Sequence, residues 1–262
     1  MTDAAFISVG DLGEGFAHGS DTLRPSTELD GRTLHLTFPS GPLTVSLAGD
    51  TATIDDEQVT ARITSIRSGL VLIDGLTGTR PPTSTTLVVD LDSGAATRVL
   101  ARLPRPEDAT ISALERVRRG EEPTLVAADV EHGRIDGTDG QLHAPTDELV
   151  GMRNLYRYSP TEAYEHIYLG PARYTWHCRA GVEHGLADTD ACSSYRIREG
   201  LVLFVWREKI VPTLGLLLID LEQLRTDGKI LGQADLDLQG AVNFPVGSRF
   251  EILNVTELGP AG

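Results

Sequence analysis

Thr33-Leu34-His35-Leu36-Thr37-Phe38, then Ser40-Gly41-Pro42, then Leu43-Thr44-Val45-Ser46-Leu47 is the stretch whose pattern decides the fold class. Apolar and polar side chains alternate along both arms, which is the period of a strand with one wet face, and a glycine-proline turn separates them. The motif then repeats. Gly49-Asp50 turns the chain into Ala52-Thr53-Ile54, and further runs follow at 59–66, 70–73, 86–91 and 96–100. Such runs, spaced by roughly 8–12 residues, are the mark of an antiparallel sandwich or an up-and-down barrel. With 27 glycines and 14 prolines punctuating them, an all-β chain is expected.

A second copy of the pattern lies downstream. Ile66-Arg67-Ser68-Gly69-Leu70-Val71-Leu72-Ile73 matches Ile197-Arg198-Glu199-Gly200-Leu201-Val202-Leu203-Phe204 at an offset of 131 residues. Leu87-Val88-Val89-Asp90-Leu91 matches Leu217-Leu218-Ile219-Asp220-Leu221 at 130. Two blocks agreeing to one residue point to a tandem duplication of a β-meander. Leu36-Thr37-Phe38 against Tyr174-Thr175-Trp176 is a candidate for an earlier matching strand. The expected division is a first barrel domain over 1–120, a linker over 121–150 and a second barrel domain over 151–262. Between them, 109–119 carries Ile111, Leu114 and Val117 at helical spacing and ends at Gly120, which predicts a short amphipathic helix.

Acidic residues number 38 against 23 basic ones, a formal net charge of −15. That field repels nucleic acid and anionic membranes, and no basic patch offsets it. The two cysteines, Cys178 and Cys192, and a start without a basic, apolar leader predict a reduced cytoplasmic protein. His177, Cys178, His184 and Cys192 lack zinc-ligand spacing, so neither a metal nor a cofactor is expected. Gly10-Asp11-Leu12-Gly13-Glu14-Gly15 lacks the strand, helix and lysine of a phosphate loop.

The informative part is 155–232. Five of six tyrosines, Tyr156, Tyr158, Tyr164, Tyr168 and Tyr174, fall within nineteen positions, and both tryptophans lie in this half. Aromatic side chains with polar tips at that density line a ligand pocket or fill a plain core. Strand alternation over 201–211 places Val202, Phe204, Trp206 and Glu208 on one face and Leu203, Val205, Arg207 and Lys209 on the other. Arg207, Glu208 and Lys209 then sit at a strand end, as a salt-bridged rim or as a ligand-gripping cluster beside Trp206. His166 and His177 are acid–base candidates because histidine titrates near neutrality. Asp188 and Asp190, following Gly185, read as a loop carboxylate pair or as turn caps.

The strings Tyr164-Glu165-His166-Ile167-Tyr168-Leu169, Tyr174-Thr175-Trp176-His177-Cys178, Gly185-Leu186-Ala187-Asp188-Thr189-Asp190 and Leu203-Phe204-Val205-Trp206-Arg207-Glu208-Lys209-Ile210-Val211-Pro212-Thr213 resemble the C-terminal signature of the MoaF family, molybdenum cofactor biosynthesis protein F. So does Arg225-Thr226-Asp227-Gly228-Lys229-Ile230. The resemblance implies two tandem calycin-like (lipocalin-like) antiparallel barrels. Calycin-like folds include phenolic acid decarboxylases, which work by proton transfer from barrel tyrosines and a glutamate. By that analogy Tyr156, Tyr158, Tyr164, His177, Arg207 and Glu208 are candidates, Arg207 holding a substrate carboxylate and a tyrosine or Glu208 shuttling the proton. Glu208, His177, Tyr174 and Arg207 are the expected catalytic set. Tyr156, Tyr158, Tyr164, His166, Trp176, Trp206 and Lys209 are substrate-binding candidates. The expected activity is lyase-, isomerase- or cyclase-type acid–base chemistry on an aromatic or enol-containing molecule. The alternative is a non-catalytic binder or accessory protein of molybdenum cofactor or secondary metabolism. The expected partner is a small molecule; apolar positions on both faces of 201–211 and 214–221 suit either a domain interface or a homodimer.

Overall fold

The computed structural model describes residues 6–17, 19–78, 83–235 and 240–257. It is all-β, with two closed antiparallel eight-strand barrels and a short helix in the segment between them. No helix is long and apolar enough to cross a membrane among the described residues.

The first barrel runs β1 (Thr33–Phe38), β2 (Gly41–Ala48), β3 (Thr51–Ile54), β4 (Glu57–Arg67), β5 (Leu70–Thr77), β6 (Thr83–Asp90), β7 (Ala95–Arg102) and β8 (Ala127–Ile135). Each strand pairs with the next, and β8 returns to β1 with Ile135 opposite Leu36. The alternation read in β1 appears as alternate exposure and burial along all six residues. Its interior is aliphatic apart from Phe38, filled by Leu36, Val45, Val71, Ile73, Leu87 and Val89 among others. Each such side chain contributes about 1.5–3 kcal/mol by leaving water.

The second barrel runs β10 (Met152–Arg157), β11 (Ala163–Gly170), β12 (Arg173–Ala180), β13 (Ala187–Arg198), β14 (Leu201–Glu208), β15 (Thr213–Asp220), β16 (Arg225–Gln233) and β17 (Ala241–Val255), after a two-residue β9 (Ala144–Pro145). The ring closes through β10–β17 and β12–β13 pairing, so every central strand has two neighbours and no long edge is left open. Its core combines aliphatic side chains such as Val202, Leu217 and Ile219 with a dense group of aromatic ones.

The duplication is written into the details of both rings. A register irregularity falls before the turn in β4, between Ser65 and Arg67, and again in β13, between Arg196 and Arg198. The Asp90 carboxylate accepts from the backbone N–H of Asp92 and Ser93, and the Asp220 carboxylate does the same from Glu222 and Gln223. Leu91 N–H donates to the Gly69 carbonyl as Leu221 N–H donates to Gly200. Topology corrects one match, however. β1 opens the first ring and β10 the second, so the counterpart of Leu36–Phe38 lies in β10 and not in the Tyr174–Trp176 strand. Three alternating apolar residues were too short a string to set register.

The chain also divides differently from the expected 1–120, 121–150 and 151–262. One compact unit comprises 23–102 with 127–144, and the other comprises 1–22, 103–126 and 145–262. The expected linker contains β8, whose ladder to β7 runs from Ala95 opposite Arg134 to Arg102 opposite Ala127. Its Gly, Asp and His content disguised a strand that closes a ring. The 109–119 segment forms a 3₁₀ turn (Pro106–Thr110) and then α2 (Ala113–Arg118). The expected apolar face is not buried: Leu114 and Val117 are exposed. A Ser112 N-cap and ion pairs such as Glu115–Arg119 at 3.1 Å hold so short a helix.

Candidate functional site

One face of each strand in the second barrel looks inward, and the inward residues are unusual in chemistry. β10 sends in Asn154 and Tyr156, with Tyr158 just beyond; β11 sends in Tyr164, His166 and Tyr168; β12 sends in Tyr174 and Trp176; β14 sends in Phe204, Trp206 and Glu208. The rings pack edge to face and tilted: Tyr174 and Phe204 have centroids 5.0 Å apart at 80°, and Tyr168 and Phe204 are 5.1 Å apart at 82°. Trp206 has room because Gly215 faces it on β15; a β-carbon there would overlap the indole. By the duplication offsets, Gly75 and Thr77 of the first barrel stand where Trp206 and Glu208 stand in the second.

α1 (Val9–Ala17) belongs to the same compact unit as the second barrel. It starts at Ser8, whose hydroxyl accepts from the Asp11 backbone N–H at 3.1 Å and donates to the Asp11 carboxylate at 2.8 Å. Val9, Leu12 and Phe16 form its buried stripe. The glycines noted in the sequence serve close packing: a β-carbon at Gly10 would overlap the Ala234 carbonyl, and one at Gly15 would lie 2.8 Å from the Glu162 carboxyl. Phe16 sits 4.9 Å from Tyr158 and 5.7 Å from Tyr164, ring to ring.

A cavity of about 30 Å³ is left between α1 and the barrel floor. Leu12, Phe16, Tyr158, Tyr164, His166, Tyr174, Trp176, Glu183, Trp206, Glu208 and Ile230 line it. That volume holds a water or two and nothing larger while α1 is seated. Two roomier openings exist, each within one unit: a groove of about 290 Å³ beside Lys209 and Ile210, and a mouth of about 220 Å³ at Arg98 of the first barrel. Neither gathers comparable chemistry.

Burial moves the titratable groups of the cavity away from their ordinary values. The Glu208 carboxyl accepts from Trp206 Nε1 at 2.9 Å, and burial, reinforced by the nearby Asp190 charge, pushes it well above the usual carboxylate range. Glu183 accepts from the Tyr164 hydroxyl at 3.1 Å and is also raised by burial. His166 is enclosed by Tyr156, Tyr174, Phe204 and Trp206, with ring separations from 4.6 to 6.1 Å, and desolvation lowers it to about 3. Behind it runs a relay of polar tips: Asn154 Nδ2 donates to the Tyr156 hydroxyl at 3.0 Å, which pairs with the Tyr168 hydroxyl at 2.7 Å, which lies 3.5 Å from His166 Nδ1. The cavity therefore sets a carboxyl whose burial disfavours its charged form beside an imidazole whose burial disfavours protonation.

The structure brings Tyr158, Tyr164, His166, Tyr174, Trp176, Trp206 and Glu208 to one lining. Tyr156 stands behind it in the relay. His177, Arg207 and Lys209 do not join them. Alternation along β12 turns His177 outward, where its Nδ1 lies 3.4 Å from the Glu165 carboxylate, which also pairs with Arg153 and Arg179. Arg207 faces away on β14, bound to Glu122 at 2.6 Å and to the Val126 carbonyl. Lys209 is clamped by Asp188 at 2.5 Å and Asp190 at 3.3 Å. Those two aspartates lie in strand β13 and not in a loop; Asp190 is buried and also accepts from Trp176 Nε1 at 3.0 Å. Glu183, Leu12, Phe16 and Ile230 are lining residues missed in the sequence. The stripe of Val9, Leu12 and Phe16 was the available signal for α1, hidden by three glycines.

Residues 4–105 match the family model described as the MoaF N-terminal domain, and residues 143–256 match the MoaF C-terminal domain. A Klebsiella aerogenes relative, Protein MoaF, is 42% identical over 267 residues, covering 97% of this chain and 98% of its own length. The chain belongs to the MoaF family. The MoaF likeness therefore extends over the first barrel as well as over the aromatic half. Among solved structures, a candidate beta-lactamase from Burkholderia vietnamiensis aligns with 10% identity and a TM-score of 0.34, over 40% of this chain and 95% of its own, too distant to carry an argument.

Proposed function

We propose that the C-terminal barrel of this MoaF-family chain is a small-molecule site that works by acid–base chemistry on an aromatic or enol-containing substrate. The observation that supports it most is geometric: a carboxyl, Glu208, and an imidazole, His166, share one lining with Tyr158, Tyr164 and Tyr174, and burial disfavours the charged form of both. A buried carboxyl can take a proton in its charged form and return it in its neutral form, which is what enolisation, isomerisation or lyase chemistry requires. Glu208 moves the proton in this reading, Tyr174 orients the substrate oxygen, and the neutral His166 ring is a wall of the site. The Asn154–Tyr156–Tyr168 relay fixes the His166 ring. The aromatic walls supply stacking, and substrate entry requires α1 to lift.

A non-catalytic binder or accessory role in molybdenum cofactor or secondary metabolism is the second reading, favoured by how little volume, about 30 Å³, is left beside α1. Deuterium exchange separates the two. The chain is incubated with 2-tetralone, a neutral aryl ketone that enolises readily, in D₂O, and label at its benzylic carbon is followed by NMR. Exchange above the buffer rate is expected, falling at least a hundredfold in a folded Glu208→Gln variant. Undiminished exchange in that variant overturns the catalytic assignment, and saturable binding without exchange selects the binder.

A further inference from the structure

Resting on the small-molecule reading above, we propose that the occupant of the C-terminal cavity is a small organic amine, held as its ammonium ion, with an aromatic or apolar body. The first ground is the lining itself. Two carboxyl groups, Glu183 and Glu208, and six aromatic side chains of the barrel and α1 other than the imidazole surround the space, and no lysine or arginine among the described residues lines it. The sequence pointed to Arg207 and Lys209 as grips for a carboxylate, and both are committed elsewhere, to Glu122 and to the Asp188–Asp190 pair.

The second ground is the orientation of the indoles. The two indole N–H groups are donors that an anion could use, and both are already given to acids: Trp176 to Asp190 at 3.0 Å and Trp206 to Glu208 at 2.9 Å. With the N–H edges tied, the ring faces remain for a ligand, and a ring face carries the negative side of its quadrupole, which attracts a cation and repels an anion. The third ground is the body of the ligand. The Phe16 side chain occupies the slot beside Tyr158, Tyr164 and Phe244, at 4.9, 5.7 and 6.0 Å, as a ligand ring would. A displaced Phe16 leaves an aromatic slot next to two acids. Burial leaves both carboxyls reluctant to ionise alone, and an ammonium ion is the partner that makes their charged forms favourable.

Three isosteric probes test this: 2-phenylethylamine, 2-phenylethanol and phenylacetate. Trp176 and Trp206 are the chain's only two tryptophans, and both line the cavity, so intrinsic fluorescence reports its occupancy, with calorimetry as a check. The amine is expected to bind with a Kd at least tenfold below that of phenylacetate. Glu208→Gln is expected to shrink that ratio below threefold while moving the affinity for 2-phenylethanol less than threefold, which shows an intact pocket. Equal or tighter binding of phenylacetate by the natural chain overturns the amine assignment and leaves the small-molecule reading standing. Absence of saturable binding by all three probes, in the natural chain and in Phe16→Ala, overturns both.

Discussion

Trp206 Nε1 donates to the carboxyl of Glu208 at 2.9 Å, two residues along the same inward face of β14. The bond ties the most perturbed acid of the cavity to one of its walls. In the first barrel the equivalent positions are Gly75 and Thr77, where no such pair can form. Replacing Glu208 by Leu removes the acceptor and leaves a buried indole N–H unsatisfied, which costs about 1–3 kcal/mol. Glu208→Gln keeps an amide oxygen in place and is expected to cost less than half as much. Urea unfolding of both variants measures the difference.

Glycine at 215 is as necessary to that wall as the indole itself. A β-carbon there overlaps the Trp206 ring, so Gly215→Ala must displace it. The expected loss is about 1–3 kcal/mol of stability, as for other overpacked cores. A red-shifted tryptophan emission should accompany it, and unchanged emission would contradict this packing.

The acids and the histidine give opposite pH limbs. Glu208, Glu183 and Asp190 are raised above their ordinary values, with burial the first cause of each, so their contribution is full below the unfolded values of 4.5 and 3.8. It is lost as pH rises through the folded values. His166, lowered by desolvation from 6.5 to about 3, contributes stability that is present above pH 6.5 and lost as pH falls toward 3. His166→Gln should therefore flatten the limb between pH 6.5 and 3, where one titrating group contributes up to about 1.4 kcal/mol per pH unit. Stability measured against pH in parent and variant checks this.

α1 closes the cavity through Phe16. Truncating that ring to alanine removes a buried aromatic, costing about 3–5 kcal/mol if the site does not collapse. It also opens the aromatic slot. Stopped-flow fluorescence with 2-phenylethylamine should show association at least tenfold faster than in the natural chain.

His177 supplies the control. It lies on the outer face of β12 beside Glu165, half-exposed, with Arg153 and Arg179 sharing the same carboxylate. His177→Ala should change stability by no more than about 1 kcal/mol and leave probe affinity unchanged, because the Glu165 carboxylate keeps Arg153 and Arg179 as partners. A tenfold loss of affinity would place it back in the site.

Period-2 alternation made the strands and their inward faces legible before any coordinates, because a buried face must be apolar wherever water is excluded. It sorted Trp206 and Glu208 onto one face and Arg207 onto the other. The same rule, applied to β12, set His177 apart from Trp176, and the functional assignment of His177 ran against it. The analogy with decarboxylases, which brought in Arg207 and His177, outweighed the geometry. Strand β8 and helix α1 were hidden for a different reason. Each is rich in residues that local propensity assigns to loops, and each is held by a partner distant in sequence, β1 and β7 for the strand and β16 and β17 for the helix. The division into units was obscured likewise, since 1–22 and 103–126 join a barrel that begins beyond residue 145.

The most direct measurement is a crystal structure of the full chain saturated with 2-phenylethylamine. The account predicts the amine nitrogen within hydrogen-bond distance of Glu208 or Glu183, the ring among Tyr158, Tyr164 and Trp176, and Phe16 moved from its slot. Ligand found at the Arg98 mouth of the first barrel or in the groove beside Ile210, with Phe16 still seated, would contradict it.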